Sequence, residues 1–244
     1  MTDFKQKLFA ALYRSLAERR TAKTNGLIIF GTVLAVIATG AYIVLSVLIA
    51  PPHMPSEQFA EGGTITALSS IYLAMAGAAS LIGFYLLLDK PGIGKFFWLI
   101  AGLGLVFLSL DELVQIHERI DMIVSSTKIG KPEILRNWND LVVMLYGAGG
   151  LIVGLLFLPE LLRFPKVLET YATGFAFYVV HTVIDTVTTN PTPLSIICEE
   201  SAKLMCVLML LLASITSVLA IIDGKRASWL RSGTEPKLDT TPTL

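Results

Sequence analysis

A long apolar segment stands near the start of the chain: residues 26–50 read GLIIFGTVLAVIATGAYIVLSVLIA and contain no charged side chain. At 25 residues, the segment exceeds the roughly 20 residues that an α-helix needs to cross a bilayer. It is also too long for the apolar core of a cleavable signal peptide, which has roughly 7–15 residues. We therefore expect residues 26–50 to form an uncleaved first membrane span.

Five further apolar segments of similar length follow, so the sequence predicts an all-α, polytopic membrane bundle of about six transmembrane helices. Hydrophobic residues make up 54% of the 244 residues and charged residues only 16%, whereas about a quarter of a soluble domain is charged. Basic and acidic residues are equal in number, 19 each, which argues against a nucleic-acid partner and leaves the lipid bilayer as the expected environment. Turns that contain Pro or Gly separate most of the segments, which we place at 26–50, 64–88, 96–116, 140–162, 168–187 and 195–222.

The two ends of the chain differ from this transmembrane domain, 26–222. Residues 1–25 are basic with apolar residues at helical spacing, which predicts an amphipathic helix on the membrane surface. Residues 223–244 are polar and rich in Pro and Thr, which predicts a disordered tail. The predicted spans place 14 Lys and Arg residues on one side and 4 on the other. The positive-inside rule then predicts a multi-pass protein of the cytoplasmic (inner) membrane with both termini in the cytoplasm.

Ionisable side chains inside spans are energetically expensive and usually functional, and three of the predicted spans carry them. The third span contains Asp111 and Glu112 and is followed by His117 and Glu118; the fifth contains His181 and Asp185; the sixth opens with Glu199, Glu200 and Lys203. A helix rises about 1.5 Å per residue, so each group falls within about 12 Å of the outer surface of a core about 30 Å thick. The sequence therefore predicts one polar layer, forming an outward-facing pocket.

Helical spacing also predicts which of these side chains share a face. Asp111, Gln115 and Glu118 follow at i, i+4 and i+7, one stripe of a continuous third helix. His181 and Asp185 lie four residues apart, as do Glu199 and Lys203. We expect these three stripes to face one another.

The stretch Leu108-Ser109-Leu110-Asp111-Glu112, followed by His117-Glu118, carries a resemblance. It resembles a group of poorly characterised bacterial multi-span membrane proteins with a Leu-Ser-x-Asp-Glu-x4-His-Glu pattern and a later acidic pair in a membrane helix. Here the later pair would be Glu199-Glu200. The resemblance implies a multi-span fold and no particular activity.

Carboxylates and imidazoles on facing helices are the usual ligands of a buried metal ion, and they favour Zn, Fe or Mn. The Glu-x-x-His spacing of di-iron bundles is absent from the sequence. We expect Asp111, His117, His181 and Glu200 to hold a divalent metal that activates water toward a substrate at the outer leaflet. Glu118 or Asp185 would then orient a ligand or act as general base, and Lys203 would set the local charge.

Two other function classes fit the same residues. Buried Asp, Glu, His and Lys side chains also build proton or cation relays, which would make the protein a coupled transporter. Alternatively, the polar cluster only holds the helices together, with Lys203 neutralising Glu199. The protein would then be an accessory or scaffold subunit of a membrane complex. The sequence leaves these classes open, together with the substrate, the oligomeric state and whether the pocket opens to lipid or to water.

Overall fold

The computed structural model describes residues 12–13, 26–60, 62–127, 137–188 and 190–232, with side chains as far as Lys225. Within these ranges the chain is helical and contains no strand. A short 3-10 turn at Glu57–Phe59 precedes the second long helix. The helices are α1 (Gly26–Ile49), α2 (Thr64–Leu86), α3 (Lys95–Val114), α4 (Ile116–Ser126), α5 (Trp138–Leu156), α6 (Leu158–Arg163), α7 (Val167–Val187) and α8 (Pro193–Ser232).

Six of these helices, α1, α2, α3, α5, α7 and α8, are long and apolar enough to cross a membrane. This confirms the predicted all-α bundle with six candidate spans. Large apolar side chains such as Leu27 and Leu48 of α1 are about three-quarters exposed. Such an apolar surface is unusual on a soluble monomer and suits contact with lipid.

The helices begin and end close to the predicted segments, except that α5 ends at Leu156 instead of at 162 and α8 extends beyond 222. Helix α8 continues to Ser232, although we expected residues from 223 onward to be disordered. Residues 223–232 contain no Pro, so nothing in their backbone stops the helix as it leaves the apolar region. Residues 233–244, and all of the predicted surface helix 1–25 except Leu12 and Tyr13, lie outside the described residues.

Helix α2 is central because it packs closely against both α3 and α8, and α8 packs closely against α7. Small residues allow the first of these contacts. A Cβ atom added at Gly77 would lie 2.7 Å from Val106 Cγ2 and 3.0 Å from the Gly102 carbonyl oxygen. These glycines therefore allow the backbones of α2 and α3 to approach closely, as small residues do between membrane helices.

Side-chain contacts fix the directions of the helices. Ser70 bonds to Ser109 near one end of α2, and Gly83 lies against Trp98 near the other, so α2 and α3 are antiparallel. Tyr171 near the start of α7 contacts Ser214 of α8, and His181 near its end lies against Glu199, so α7 and α8 are antiparallel. Ser80 in the second half of α2 bonds to the same Ser214, so α2 and α8 are parallel. One end of the bundle, which we name the polar end, thus carries the 3-10 turn, α4, the C-terminus of α7 and the N-terminus of α8. The opposite end, the basic end, carries residues 87–94 and 157–166 with Lys90, Arg163 and Lys166.

Candidate functional site

The third predicted span breaks at the polar end, which corrects the expected stripe of Asp111, Gln115 and Glu118. Helix α3 ends at Val114, and Gln115 adopts left-handed backbone angles of φ 56° and ψ 49°. Helix α4 then starts at Ile116 in a new direction. Because the helix is not continuous, i, i+4, i+7 spacing no longer places these side chains on one face.

Asp111 holds the two sides of the break together. Its Oδ1 atom accepts a hydrogen bond from the backbone N–H of His117 at 2.9 Å. Its Oδ2 atom lies 2.9 Å from His117 Nδ1. The carboxylate thereby satisfies one of the unpaired N–H groups at the start of α4 and orients the imidazole with the same side chain.

The His117–Asp111 pair has one buried and one partly exposed member. Asp111 is only 4% exposed, whereas the His117 side chain is 20% exposed. The hydrogen bond from His117 Nδ1–H to the Asp111 carboxylate raises the pKa of His117 above its ordinary value, against the opposing effect of burial. Because Nδ1 is engaged, Nε2 is the ring nitrogen left for another partner. Glu118 follows on α4 and lies within electrostatic range of the imidazole.

A second cluster is an ion triad between α3 and α8. Lys203 Nζ lies 2.8 Å from Glu112 Oε1 and 2.7 Å from Glu200 Oε2. All three side chains are largely buried, at 20%, 12% and 10% exposed. The structural alternative paired Lys203 with Glu199 at i−4; the structure places its ammonium between Glu112 and Glu200, so it bridges two helices.

The third group is His181 of α7, which faces α8. Its Nδ1 atom lies 4.0 Å from Glu199 Oε1, which is too long for a hydrogen bond. Nδ1 is buried and has no hydrogen-bond partner among the described residues. The Tyr178 ring packs edge-on against the imidazole at 6.4 Å between centroids. Asp185, one turn further along α7, is equally buried.

These three groups lie in one layer. His181 is within electrostatic range of both Lys203 and His117. Tyr146 of α5 interacts with Asp111 and is within electrostatic range of Tyr178, which connects α5 and α7 to the same layer. The structure therefore brings the predicted residues of the third, fifth and sixth spans to the polar end.

The predicted metal ligands lie in that layer but do not converge on one point. Among the residues that the structure describes, no group of three or more His, Cys, Asp and Glu side chains could hold a metal ion. The reason is that the four predicted ligands have other neighbours: Asp111 and His117 bind each other, Glu200 binds Lys203, and His181 faces Glu199. The four-ligand set stays a prediction that these contacts do not support.

Two residues of the layer were given no role in the predicted site, although the sequence placed Glu112 in the layer. Glu112 directly follows Asp111, and its signal was present in the acidic pair, but only its ion pair with Lys203 shows that it faces α8. Tyr146 lies in a Gly-rich apolar stretch of α5, where no charged neighbour marks it. Whether each of these side chains faces the layer depends on the rotation of its helix about the helix axis, which a single sequence does not specify.

A family model described as a domain of unknown function, DUF8692, matches residues 26–218, from the first residue of α1 to the interior of α8. No curated protein and no solved structure matches the chain. The function must therefore be inferred from the geometry of the polar end.

Proposed function

The chain belongs to the DUF8692 family, whose function is unknown, and we propose that it is a membrane enzyme that uses the His117–Asp111 pair as a general base. In this proposal the polar end faces outward, as the distribution of Lys and Arg predicts. The substrate reaches the pair from the outer leaflet or from the water above it.

The geometry of His117 carries this proposal. A general base of the His type needs a carboxylate on one ring nitrogen to fix its tautomer and orientation, and a second nitrogen that can take up a proton. Asp111 supplies the first requirement through contacts of 2.9 Å to both the ring and the backbone of His117. The His117 side chain is partly exposed, and in this proposal Nε2 is the atom that meets water or a substrate hydroxyl.

The remaining polar side chains have positioning roles in this proposal. Lys203 ties α3 to α8 through Glu112 and Glu200, and its charge is offset by those two partners. It therefore fixes the distance between the helices that carry Asp111 and Glu199. Glu118 and Asp185 add negative charge near the two histidines, which favours the protonated form of the base after it has taken a proton.

The test is turnover in a membrane of defined composition. Purified protein in nanodiscs of mixed bacterial phospholipids is incubated with water-soluble and lipid substrates, and products are identified by mass spectrometry. We expect product with the wild type, and a loss of about 10²–10⁴-fold in rate with His117→Gln, which cannot accept the proton. His53→Gln, in an exposed loop at the same end, is the matched control. Wild-type protein without turnover, or His117→Gln with a wild-type rate, would reject the proposal.

A metal-assisted form of the enzyme stays a separate prediction. It is tested by elemental mass spectrometry of purified protein beside Asp111→Ala, His181→Ala and Glu200→Ala. Zn, Fe or Mn near one ion per chain, lost in all three variants, would restore the four-ligand set and make His117 a ligand rather than a base.

Proton- or cation-coupled transport is the second candidate, and the ion triad favours it. A Lys203 ammonium held between two buried carboxylates is a group whose partners can exchange protons in a transport cycle. Neutral polar groups, Ser80, Ser214 and Tyr171, continue from the layer toward the basic end. Proton flux into proteoliposomes that Glu112→Gln abolishes would favour transport, as would wild-type flux without chemical turnover. A fixed co-purifying partner with neither activity would favour an accessory subunit.

A further inference from the structure

We propose that helix α4 lies in the membrane interface at the polar end and inserts its apolar face into the lipid, so that the substrate of the His117–Asp111 pair is a membrane lipid. The inference rests on the proposed function, because it names the substrate class of the same site. The apolar face consists of Ile116, Ile120 and Ile123, which we name the α4 stripe. The leaflet concerned is the outer one in the orientation proposed above.

The length and composition of α4 exclude a membrane span and fit an interfacial helix. It has 11 residues, so it is about 16 Å long and too short to cross a core of about 30 Å. Ile116, Ile120 and Ile123 follow at i, i+4 and i+7, whereas Glu118 and Asp121 occupy the other side. A short helix of low overall hydrophobicity that separates apolar from polar residues in this way is typical of a membrane surface.

Two contacts hold α4 at the level where the neighbouring spans end. Its first turn is tied to the end of α3 by Asp111, which bonds to the backbone and the ring of His117. Further along, Asp121 Oδ1 accepts a hydrogen bond at 2.8 Å from the backbone N–H of Trp138, the first residue of α5. Trp is enriched where membrane spans meet the headgroups. Helix α4 therefore runs from the end of one span to the beginning of the next, along the membrane surface rather than across it.

The same contacts turn the α4 stripe away from the bundle. Ile120 and Ile123 lie about 100° and 160° from Asp121 around the helix axis. Since Asp121 contacts α5, the two isoleucines face the surroundings, and they are 36% and 66% exposed. Arg119, also exposed at the edge of the stripe, carries a long basic side chain of the kind that reaches lipid phosphates from such a position.

Continuity with the surface of a candidate span identifies the partner as lipid. Leu110, Leu113 and Val114 near the end of α3 are 51%, 61% and 45% exposed. Helix α3 is long and apolar enough to cross a membrane, and such exposed apolar side chains on a span contact lipid. Only Gln115 separates Val114 from Ile116, so no polar loop lies between these residues and the α4 stripe.

Insertion of the α4 stripe has a direct consequence for the site, because His117 immediately follows Ile116. The apolar face of an interfacial helix reaches about 5–10 Å into the boundary between headgroups and acyl chains. His117, on the flank of that face and bonded to the end of α3, then lies at the level of the headgroups and of the bonds that join them to the acyl chains. A lipid meets the base there by moving along the leaflet, without leaving it.

The depth of α4 is measured with nitroxide spin labels on the full chain in nanodiscs of mixed bacterial phospholipids. The native cysteines, Cys198 and Cys206, are replaced by alanine, and the melting temperature of this background is compared with that of the wild type. A label is attached at Ile123→Cys or, as the matched control on the polar side of the same helix, at Ser125→Cys. Power saturation then compares collisions with oxygen, which concentrates in lipid, and with a water-soluble nickel chelate.

We expect the label at residue 123 to lie about 5–10 Å inside the boundary between headgroups and acyl chains, and the label at residue 125 to lie on its water side. Collision of both labels with the nickel chelate would place the α4 stripe in water and overturn the inference. Protection of the label at residue 123 from both reagents would mean that a second copy or another protein covers the stripe, which also overturns it.

Turnover tests the substrate class. Ile123→Ser should lower the rate on the phospholipids of the nanodisc about tenfold and leave the rate on dihexanoyl phospholipids, dissolved as monomers with the same headgroups, unchanged. Ile93→Ser, which removes an isoleucine 73% exposed at the basic end, should change neither rate. An unchanged rate in Ile123→Ser, or an equal loss on both substrates, would overturn the assignment of a lipid substrate. A label at residue 123 in lipid without any turnover supports the interfacial helix and rejects only the enzyme, whereas turnover with that label in water rejects only this inference.

Discussion

The polar end and the basic end of the bundle bury polar groups in different ways. At the basic end, aromatic and aliphatic side chains surround one carboxylate, Glu160, whose Oε1 accepts a hydrogen bond from Trp98 Nε1–H at 3.0 Å. Arg163 lies 3.8 Å from the other carboxylate oxygen. At the polar end, an Asp–His pair, an ion triad and a His–Glu gap lie in one layer, and His181 Nδ1 has no partner among the described residues.

This difference separates a structural polar contact from a functional one. Glu160 is 9% exposed and has both a donor and a cation beside it, so its burial needs no ligand. His181 is buried to the same degree, yet its Nδ1 atom has no hydrogen-bond partner among the described residues. Burying ionisable groups is costly, and an arrangement that leaves one unsatisfied is retained where a ligand or a reaction completes it. The concentration of such groups at one end also favours a one-sided site over a path across the membrane.

The largest effect is expected from the ion triad. Lys203→Met leaves Glu112 and Glu200 buried without their cation, and breaking a buried pair from one side costs about 3 kcal/mol or more. We expect a clear drop in the melting temperature of the detergent-solubilised protein, measured by intrinsic fluorescence. Lys90→Met, at an exposed position of the basic end, should melt as the wild type does.

A rescue variant sharpens this prediction. Lys203→Met combined with Glu112→Gln and Glu200→Gln removes the uncompensated charges, so much of the lost stability should return. If Lys203→Met alone melts at the wild-type temperature, the triad is solvated rather than buried, and the contrast between the two ends is wrong in that respect.

A smaller effect is expected at the basic end. Glu160→Gln keeps the size of the side chain and an acceptor for Trp98 but removes the charge, and charge-assisted hydrogen bonds are about twice as strong as neutral ones. We expect a loss of about 1 kcal/mol in unfolding free energy, measured by denaturation in detergent, with turnover at the polar end unchanged. Glu169→Gln, an exposed acid near the same end, is the control. Altered turnover in Glu160→Gln would show that the two ends are coupled.

The sequence predicted the layer but not its pairs, and the reason is geometric. Span length and charge placement depend on rise per residue, which is nearly constant in helices, so the depths of Asp111, His181 and Glu199 followed from counting. Which side chains meet depends on helix rotation and crossing, which a single chain does not reveal. The structural alternative could therefore pair Lys203 only with Glu199 on its own helix, whereas Glu112 of α3 and Glu200 are the carboxylates at its ammonium.

The break at Gln115 explains why the expected stripe of Asp111, Gln115 and Glu118 does not form. Left-handed backbone angles are usually signalled by Gly or Asn, and the segment around Gln115 contains neither. Asp111 stabilises the break through a contact with His117 that depends on the tertiary path of the chain. Without the break, the expected stripe would have turned Glu118 toward the bundle and left His117 on its flank.

The smallest effect concerns pH, and it links the His117–Asp111 pair to both stability and turnover. Asp111 raises the pKa of His117 above its ordinary value of 6.5. A raised pKa contributes stability that is fully present below the unfolded value and is lost as the pH rises through the folded value. Because the imidazole is 20% exposed, we expect only a slight fall in melting temperature above pH 6.5, and Asp111→Asn should remove this dependence.

The same titration should change turnover in the opposite direction. A general base works when it is neutral, so the rate should rise as the pH passes through the raised pKa of His117, over the interval in which stability falls. NMR of the histidine rings in nanodiscs, assigned with His53→Gln and His181→Gln, should show His117 titrating above 6.5, and lower in Asp111→Asn. A His117 resonance that titrates at or below 6.5, or does not respond to Asp111→Asn, would mean that Asp111 only caps α4 and that the imidazole is not oriented for catalysis.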